Sequence, residues 1–155
     1  VAEKMIMEYS AVNNTDYVIL RVPGIYGLGR LPLSKIRERE PLVIKDECKI
    51  TNLINVEDLA RVVWRVIKDN IKNEIINVSD GTPITSTEYY LKIYDELEIE
   101  YPPFIKMKEA GKYYSEERMS FMSESRILDV TKMNRLFGDC IKYSNISDGI
   151  KRSLS

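Results

Sequence analysis

The sequence predicts an α/β fold with a parallel sheet and a smaller appended lobe, and three observations lead there. Helical and strand-like patterns alternate through the first hundred residues, the order expected of parallel strands joined by helical crossovers. The two strand-like runs "YVILRV" (17–22) and "IINV" (75–78) are nearly continuous in apolar residues, as in strands covered on both faces. Beyond Pro102-Pro103 the texture changes to short polar segments, which suits a separate lobe.

Taken in order, "VAEKMIMEYSAVNN" sets Ala2, Met5, Ile6 and Tyr9 on one face of an amphipathic helix. No Ser, Thr, Asp or Asn opens it, so the sequence reads as cut inside a helix. "DYVILRV" (16–22) is a strand with covered faces. A loop with Gly24, Gly27 and Gly29 comes next, and Pro32 suits the first turn of a short helix that Pro41 stops. "LVIKDECKITNLIN" (42–55) reads as two short strands around a polar turn.

The clearest helix is "NVEDLARVVWRVIKDN" (55–70). Asn55 and Asp58 stand in capping-box spacing, Leu59, Val62, Val63, Val66 and Ile67 form the buried stripe, and Trp64 packs at its edge. The adjacent Glu57 and Asp58 do not converge on a helix as an acid/base pair would; acids at a helix start serve the cap and the dipole. "NEIINVSDG" (73–81) is a second covered strand ending in an Asp80-Gly81 turn. "TSTEYYLKIYDEL" (85–97) opens with a Thr85/Glu88 capping box and carries Tyr90, Ile93, Tyr94 and Leu97 on one face. Asp129 opens and Gly138 closes a later helix, and "NISDGIKRSL" (145–154) is the last.

Composition narrows the function. A chain of 155 residues with 44% hydrophobic content supports one core-bearing domain. Its 23 basic and 24 acidic residues are interspersed for a net charge of −1, which argues against nucleic acid and against a polybasic membrane anchor and in favour of a small molecule or another protein as partner. Cys48 and Cys140 have no neighbouring ligand groups, as in a reduced protein. With no signal-peptide layout in residues 1–15 and no apolar run of membrane length, the expected location is cytoplasmic. Histidine is absent, so neither zinc nor Ser-His-Asp chemistry is expected within the chain, and no metal ligands and no catalytic residues are assigned to it.

The glycines form G-x-x-G-x-G, not the G-x-G-x-x-G of a dinucleotide cradle, and Pro23 and Pro32 separate them from the strand and the next helix. The reading that fits is a turn with close backbone approach. The loop still lies at the carboxyl end of a strand, where open α/β sheets bind ligands.

Four blocks in this order, "LRVPGIYGLGR", "NLINVEDLARVVWRVI", "EIINVSDGTPIT" and "SESRILDVTKMNRLFG", resemble the C-terminal half of extended short-chain dehydrogenases/reductases, the NAD-dependent nucleotide-sugar epimerase/dehydratase family. The resemblance covers most of residues 1–150. It implies the C-terminal part of a Rossmann-like parallel sheet plus a small substrate-binding lobe: about 1–28 and 52–80 as sheet elements, and 29–51 and 81–155 as the lobe, within a single unit. By the same resemblance Pro23, Gly24 and Ile25 lie near the nicotinamide of NAD or NADP in the complete enzyme. Arg126, and with it Arg30, meets an anionic group of a nucleotide-sugar-like substrate; a guanidinium fork suits phosphate. A structural turn at 23–25 and a surface role for both arginines remain the alternative readings.

The family's glycine-rich fingerprint, acidic ribose-binding residue and Tyr-x-x-x-Lys are missing. Tyr26 does not supply the tyrosine, because Arg30 and not lysine stands four residues on; it reads as a packing aromatic. "VAEKMIMEYS" is similar to the part of the family's helix that lies just after the catalytic lysine. The chain is therefore expected to be inactive alone and to form a homo-oligomer or pair with a missing N-terminal half. A noncatalytic nucleotide-sensing or scaffold protein of the same fold is the alternative.

Overall fold

The computed structural model describes residues 1–123 and 127–155. Helix α1 (Ala2–Asn13) leads into β1 (Val18–Arg21), which pairs in parallel with β6 (Glu74–Asn77), Val18 opposite Glu74 and Arg21 opposite Asn77. Helix α3 (Val56–Lys68) is the crossover helix between them in sequence, as a parallel pair requires. A second parallel pair joins β2 (Gly24–Tyr26) to β5 (Leu53–Asn55). Short pairs complete the strands: β3 (Leu42–Val43) runs parallel to β8 (Phe104–Ile105), and β4 (Ile50–Thr51) antiparallel to β7 (Ile84–Thr85). The remaining helices are α2 (Leu33–Arg37), α4 (Ser86–Glu96), α5 (Glu116–Ser123), α6 (Thr131–Phe137) and α7 (Ile146–Leu154).

The β2–β5 pair separates two cores. Successive strand side chains point to opposite faces. Tyr26 and Leu53 thus enter one cluster with Ile36, Ile93, Tyr94, Ile146 and Ile150, drawn from α2, α4 and α7. Their neighbours Ile25 and Ile54 face the other cluster, with Val62 from α3, Ile76 from β6, Val78 just past it, and Met133 and Phe137 from α6. A third, smaller cluster gathers Val43, Ala110, Tyr114 and Met122.

Several expectations change. Gly24–Tyr26 is a strand, not a loop, because Gly24 can lie against β5: a Cβ there would stand 2.8 Å from Leu53 Cδ2. β1 is half-buried, not covered on both faces, with Arg21 exposed. On α1 the side facing the domain carries Ser10, and Met5, Ile6 and Tyr9 are exposed. On α3 Val62 is fully buried and Leu59 and Val66 partly so, while Val63, Ile67 and Trp64 are exposed, Trp64 at 63%.

The caps also divide. Thr85 and Glu88 form the reciprocal box at α4. Asn55 caps α3 by accepting from Glu57 N, but Asp58 takes no part in the cap. Asp129 Oδ1 accepts from Thr131 N at the start of α6, whereas Gly138 keeps a right-handed φ of −56° and carries the chain into a 3-10 turn, Gly138–Cys140. Among the described residues no helix is long and apolar enough to cross a membrane.

Candidate functional site

The carboxyl ends of β1 and β6 open into a cleft of about 780 Å³. β1 brings Arg21 and then Val22, Pro23 and Gly24 to its wall; β6 brings Asn77; the β4–β5 link brings Thr51 and Asn52. The amide side chains hold a distant segment in place: Asn52 Oδ1 accepts from Leu128 N at 3.1 Å, and Asn77 Nδ2 donates to Asp129 O at 3.0 Å. Leu128 thereby closes one side of the cleft. At the rim, Arg21 donates through Nε and Nη2 to both carboxylate oxygens of Glu3, at 2.7 and 2.6 Å, and this fork holds the Glu3 carboxyl below its usual range.

A second cleft, of about 360 Å³, lies across the wall formed by Gly24 and Thr51, which line both. Its lining includes Ile25, Tyr26, Arg30, Lys35, Tyr89, Tyr90 and Arg118. Of the residues singled out in the sequence, Pro23 and Gly24 therefore line the first cleft, and Ile25 and Arg30 join Gly24 in the second. Arg126 lies outside the described residues.

Behind the second cleft is a buried polar node. Tyr26 is 1% exposed and its hydroxyl has no hydrogen-bond partner among the described residues. It abuts Gly149 of α7, where any Cβ would overlap it. Asp80 accepts from Thr82 N at 2.8 Å through Oδ1, while Oδ2 is buried without a partner among the described residues. Burial raises the Asp80 pKa to about 7, with the nearby Asp58 charge adding to the rise and the Thr82 N–H opposing it. Burial likewise pushes the Tyr26 phenol up, assisted by the Asp80 charge.

Sequence reasoning does not find Asn52, Asn77, Lys35, Tyr89 or Arg118. The signal available for the asparagines is position: each stands beside or within a short apolar strand, where an amide is out of place unless it binds something. Arg118 carries no local signal, since its partner Glu40 is distant in sequence, and Lys35 reads in sequence as an ordinary polar position of a short helix.

No family model and no curated protein matches the chain. Solved structures do. A functionally unknown conserved protein from Silicibacter pomeroyi DSS superposes with a TM-score of 0.83 at 25% identity over 96% of this chain and 52% of that one. UDP-N-acetylglucosamine 4-epimerase from Methanobrevibacter ruminantium M1, solved with UDP-N-acetylmuramic acid, gives 0.69 at 18% identity over 98% of this chain and 49% of that one. dTDP-glucose 4,6-dehydratase from Bacillus anthracis str. Ames, solved with NAD, gives 0.73 at 16% identity over 99% and 48%. The chain thus has the fold of part of a Rossmann-like epimerase or dehydratase and spans about half the length of each of these proteins.

Proposed function

We propose that this chain is the C-terminal, substrate-side portion of an NAD(P)-dependent epimerase or dehydratase acting on a nucleotide-sugar-like substrate. The observation that carries the reading is the first cleft, which opens beyond the carboxyl ends of two parallel strands, where open α/β sheets receive ligands. The fold shared with nucleotide-sugar enzymes supports it.

The lining of the cleft fits a flat carboxamide ring. Val22 and Pro23 offer an apolar wall, Gly24 presents backbone without a side chain, and Asn77 has a side-chain carbonyl oxygen to accept with while its amide nitrogen donates to Asp129. In the complete enzyme NAD or NADP supplies hydride transfer. The roles in this chain are those of binding and orientation: Pro23 and Gly24 beside the nicotinamide in the first cleft, Ile25 behind them on the wall of the second, and Arg30 and Arg126 toward anionic groups of the substrate. The segment after Arg126 is pinned to the cleft through Asn52 and Asn77, which suits a substrate contact there. No tyrosine in the chain has a lysine four residues after it, so the acid/base pair comes from elsewhere and the chain is inactive alone. The division into sheet elements (about 1–28 and 52–80) and lobe (29–51 and 81–155), a cytoplasmic location, and pairing with an N-terminal half or a second copy through the exposed side of α1 belong to the same reading.

The test is a titration of ¹⁵N-labelled chain with UDP-glucose. Amide shifts at Arg21, Val22, Asn77 and Leu128, which line the first cleft and not the second, are expected; a titration that leaves those amides unmoved overturns the reading.

A further inference from the structure

We infer that the second cleft receives an oxyanion carried on a sugar ring, so that the substrate is a sugar acid or sugar phosphate and not a neutral sugar. The inference deepens the reading above and rests on it. Its basis is an imbalance of charge. The chain as a whole is nearly neutral, at −1, yet Arg30, Lys35 and Arg118 line this cleft and, among the described residues, no aspartate or glutamate does. The first cleft shows the opposite arrangement, its Arg21 already neutralised by the Glu3 fork.

The three cations are not equivalent. Arg118 pairs with Glu40 and lies 3.6 Å over the Tyr114 ring, and Lys35 reaches the same Glu40 at 3.9 Å. One carboxylate behind the wall therefore holds two cations in position and leaves the cleft with surplus positive charge. The Arg30 backbone N–H donates to Gly27 O at 3.0 Å, while its guanidinium has no hydrogen-bond or ion-pair partner among the described residues and the residue is exposed; the five guanidinium donors are open to a carboxylate or phosphate fork.

The tyrosines supply the ring wall. Tyr89 and Tyr90 stand edge to face with centroids 5.9 Å apart and both border the cleft. Burial raises both phenols, so their hydroxyls remain donors at neutral pH. Neither hydroxyl has a partner among the described residues, and neither residue is fully buried. A volume of about 360 Å³ lies within the range of small-ligand sites and accommodates one pyranose with its substituent.

The test titrates ¹⁵N-labelled chain with glucuronate, glucose 6-phosphate and glucose, and repeats each titration on Arg30→Gln. At least one of the two anions should shift the Arg30, Tyr89 and Tyr90 amides while glucose does not. Glucuronate alone identifies a carboxylate and glucose 6-phosphate alone a phosphate; both together identify a general oxyanion site. In Arg30→Gln the anion affinity should fall about tenfold, the loss expected for one charged hydrogen bond. Three results overturn the inference: glucose acting as well as the anions, no shifts in the second cleft with either anion, or an unchanged affinity in Arg30→Gln. If UDP-glucose meanwhile shifts the first-cleft amides, only this inference falls; if it does not, the functional reading falls with it.

Discussion

The carboxylate of Asp58, fully buried in the first turn of α3, accepts from two consecutive backbone amides eighty-odd positions away: Lys142 N on Oδ1 and Tyr143 N on Oδ2, each at 3.0 Å. Arg61 completes its neutralisation. Asp58 therefore joins α3 to the segment entering α7. Asp58→Ala leaves the Lys142 and Tyr143 amides and the Arg61 charge without this buried partner and should lower stability by about 3 kcal/mol. Urea denaturation checks this, and Asp58→Asn, which retains one acceptor oxygen, should fall between the two.

Asp80 gives a pH dependence of defined sign. Its pKa is raised in the folded state from 3.8 to about 7, so between those values the native chain holds a proton that the unfolded chain has released. Stability then falls as pH rises through that window and levels off above about 7, a total of roughly 4 kcal/mol from this group. Glu57, Glu74, Glu88 and Asp129, whose pKa values are lowered, contribute the opposite slope at more acidic pH, below their unfolded values. Thermal melts from pH 4 to 8 should show the decline in the native sequence and lose it in Asp80→Asn.

Gly149 and Tyr26 form a coupled pair. Alanine usually stabilises a helix relative to glycine by up to about 1 kcal/mol, but a Cβ at 149 overlaps the Tyr26 hydroxyl and lies 2.9 Å from Cζ. Gly149→Ala should therefore destabilise by about 2 kcal/mol. Tyr26→Phe removes a hydroxyl that has no partner among the described residues and should be neutral or mildly stabilising. The double variant should recover part of the loss, and additive behaviour in the four-way comparison would disprove the contact.

Trp64, the chain's single tryptophan, is 63% exposed on α3. In the monomer its fluorescence should resemble that of indole in water and be quenched readily by acrylamide, and Trp64→Gln should leave the melting temperature unchanged. A blue-shifted, protected signal that appears with rising protein concentration would place α3 in an interface.

The features legible in the sequence are local or strongly patterned. The Thr85/Glu88 cap needs residues three apart, and the apolar runs around Val18–Arg21 and Glu74–Asn77 announce a parallel pair by composition. Asp58 looks like a capping acid in sequence because its real partners, Lys142 and Tyr143, are remote along the chain. Gly24–Tyr26 looks like loop because glycine is depleted in strands, and only the approach to Leu53 explains it there. Val63 and Ile67 fit the helical period of a buried stripe, yet that stripe is narrower than the period allows, and only Val62 is fully covered. At the site, Pro23, Gly24, Ile25 and Arg30 are legible as a group because they lie close together in sequence; Arg118, which shares the second cleft with Arg30, is not, because α5 reaches that cleft only in three dimensions.

The placement of α6 bears on synthesis. Met133 and Phe137 pack into the same cluster as Ile54 and Ile76, so β1 and β2 must wait for α6, far downstream in the sequence, before their core can close. On the ribosome this is a long interval with apolar strands and open edges uncovered, the condition under which nascent chains are captured by chaperones or associate wrongly. A ribosome stalled before Phe137 would hold a product whose clusters are incomplete, and resistance to protease should first appear only once α6 and α7, which supplies Ile146 and Ile150 to the core around Tyr26, have both left the ribosome.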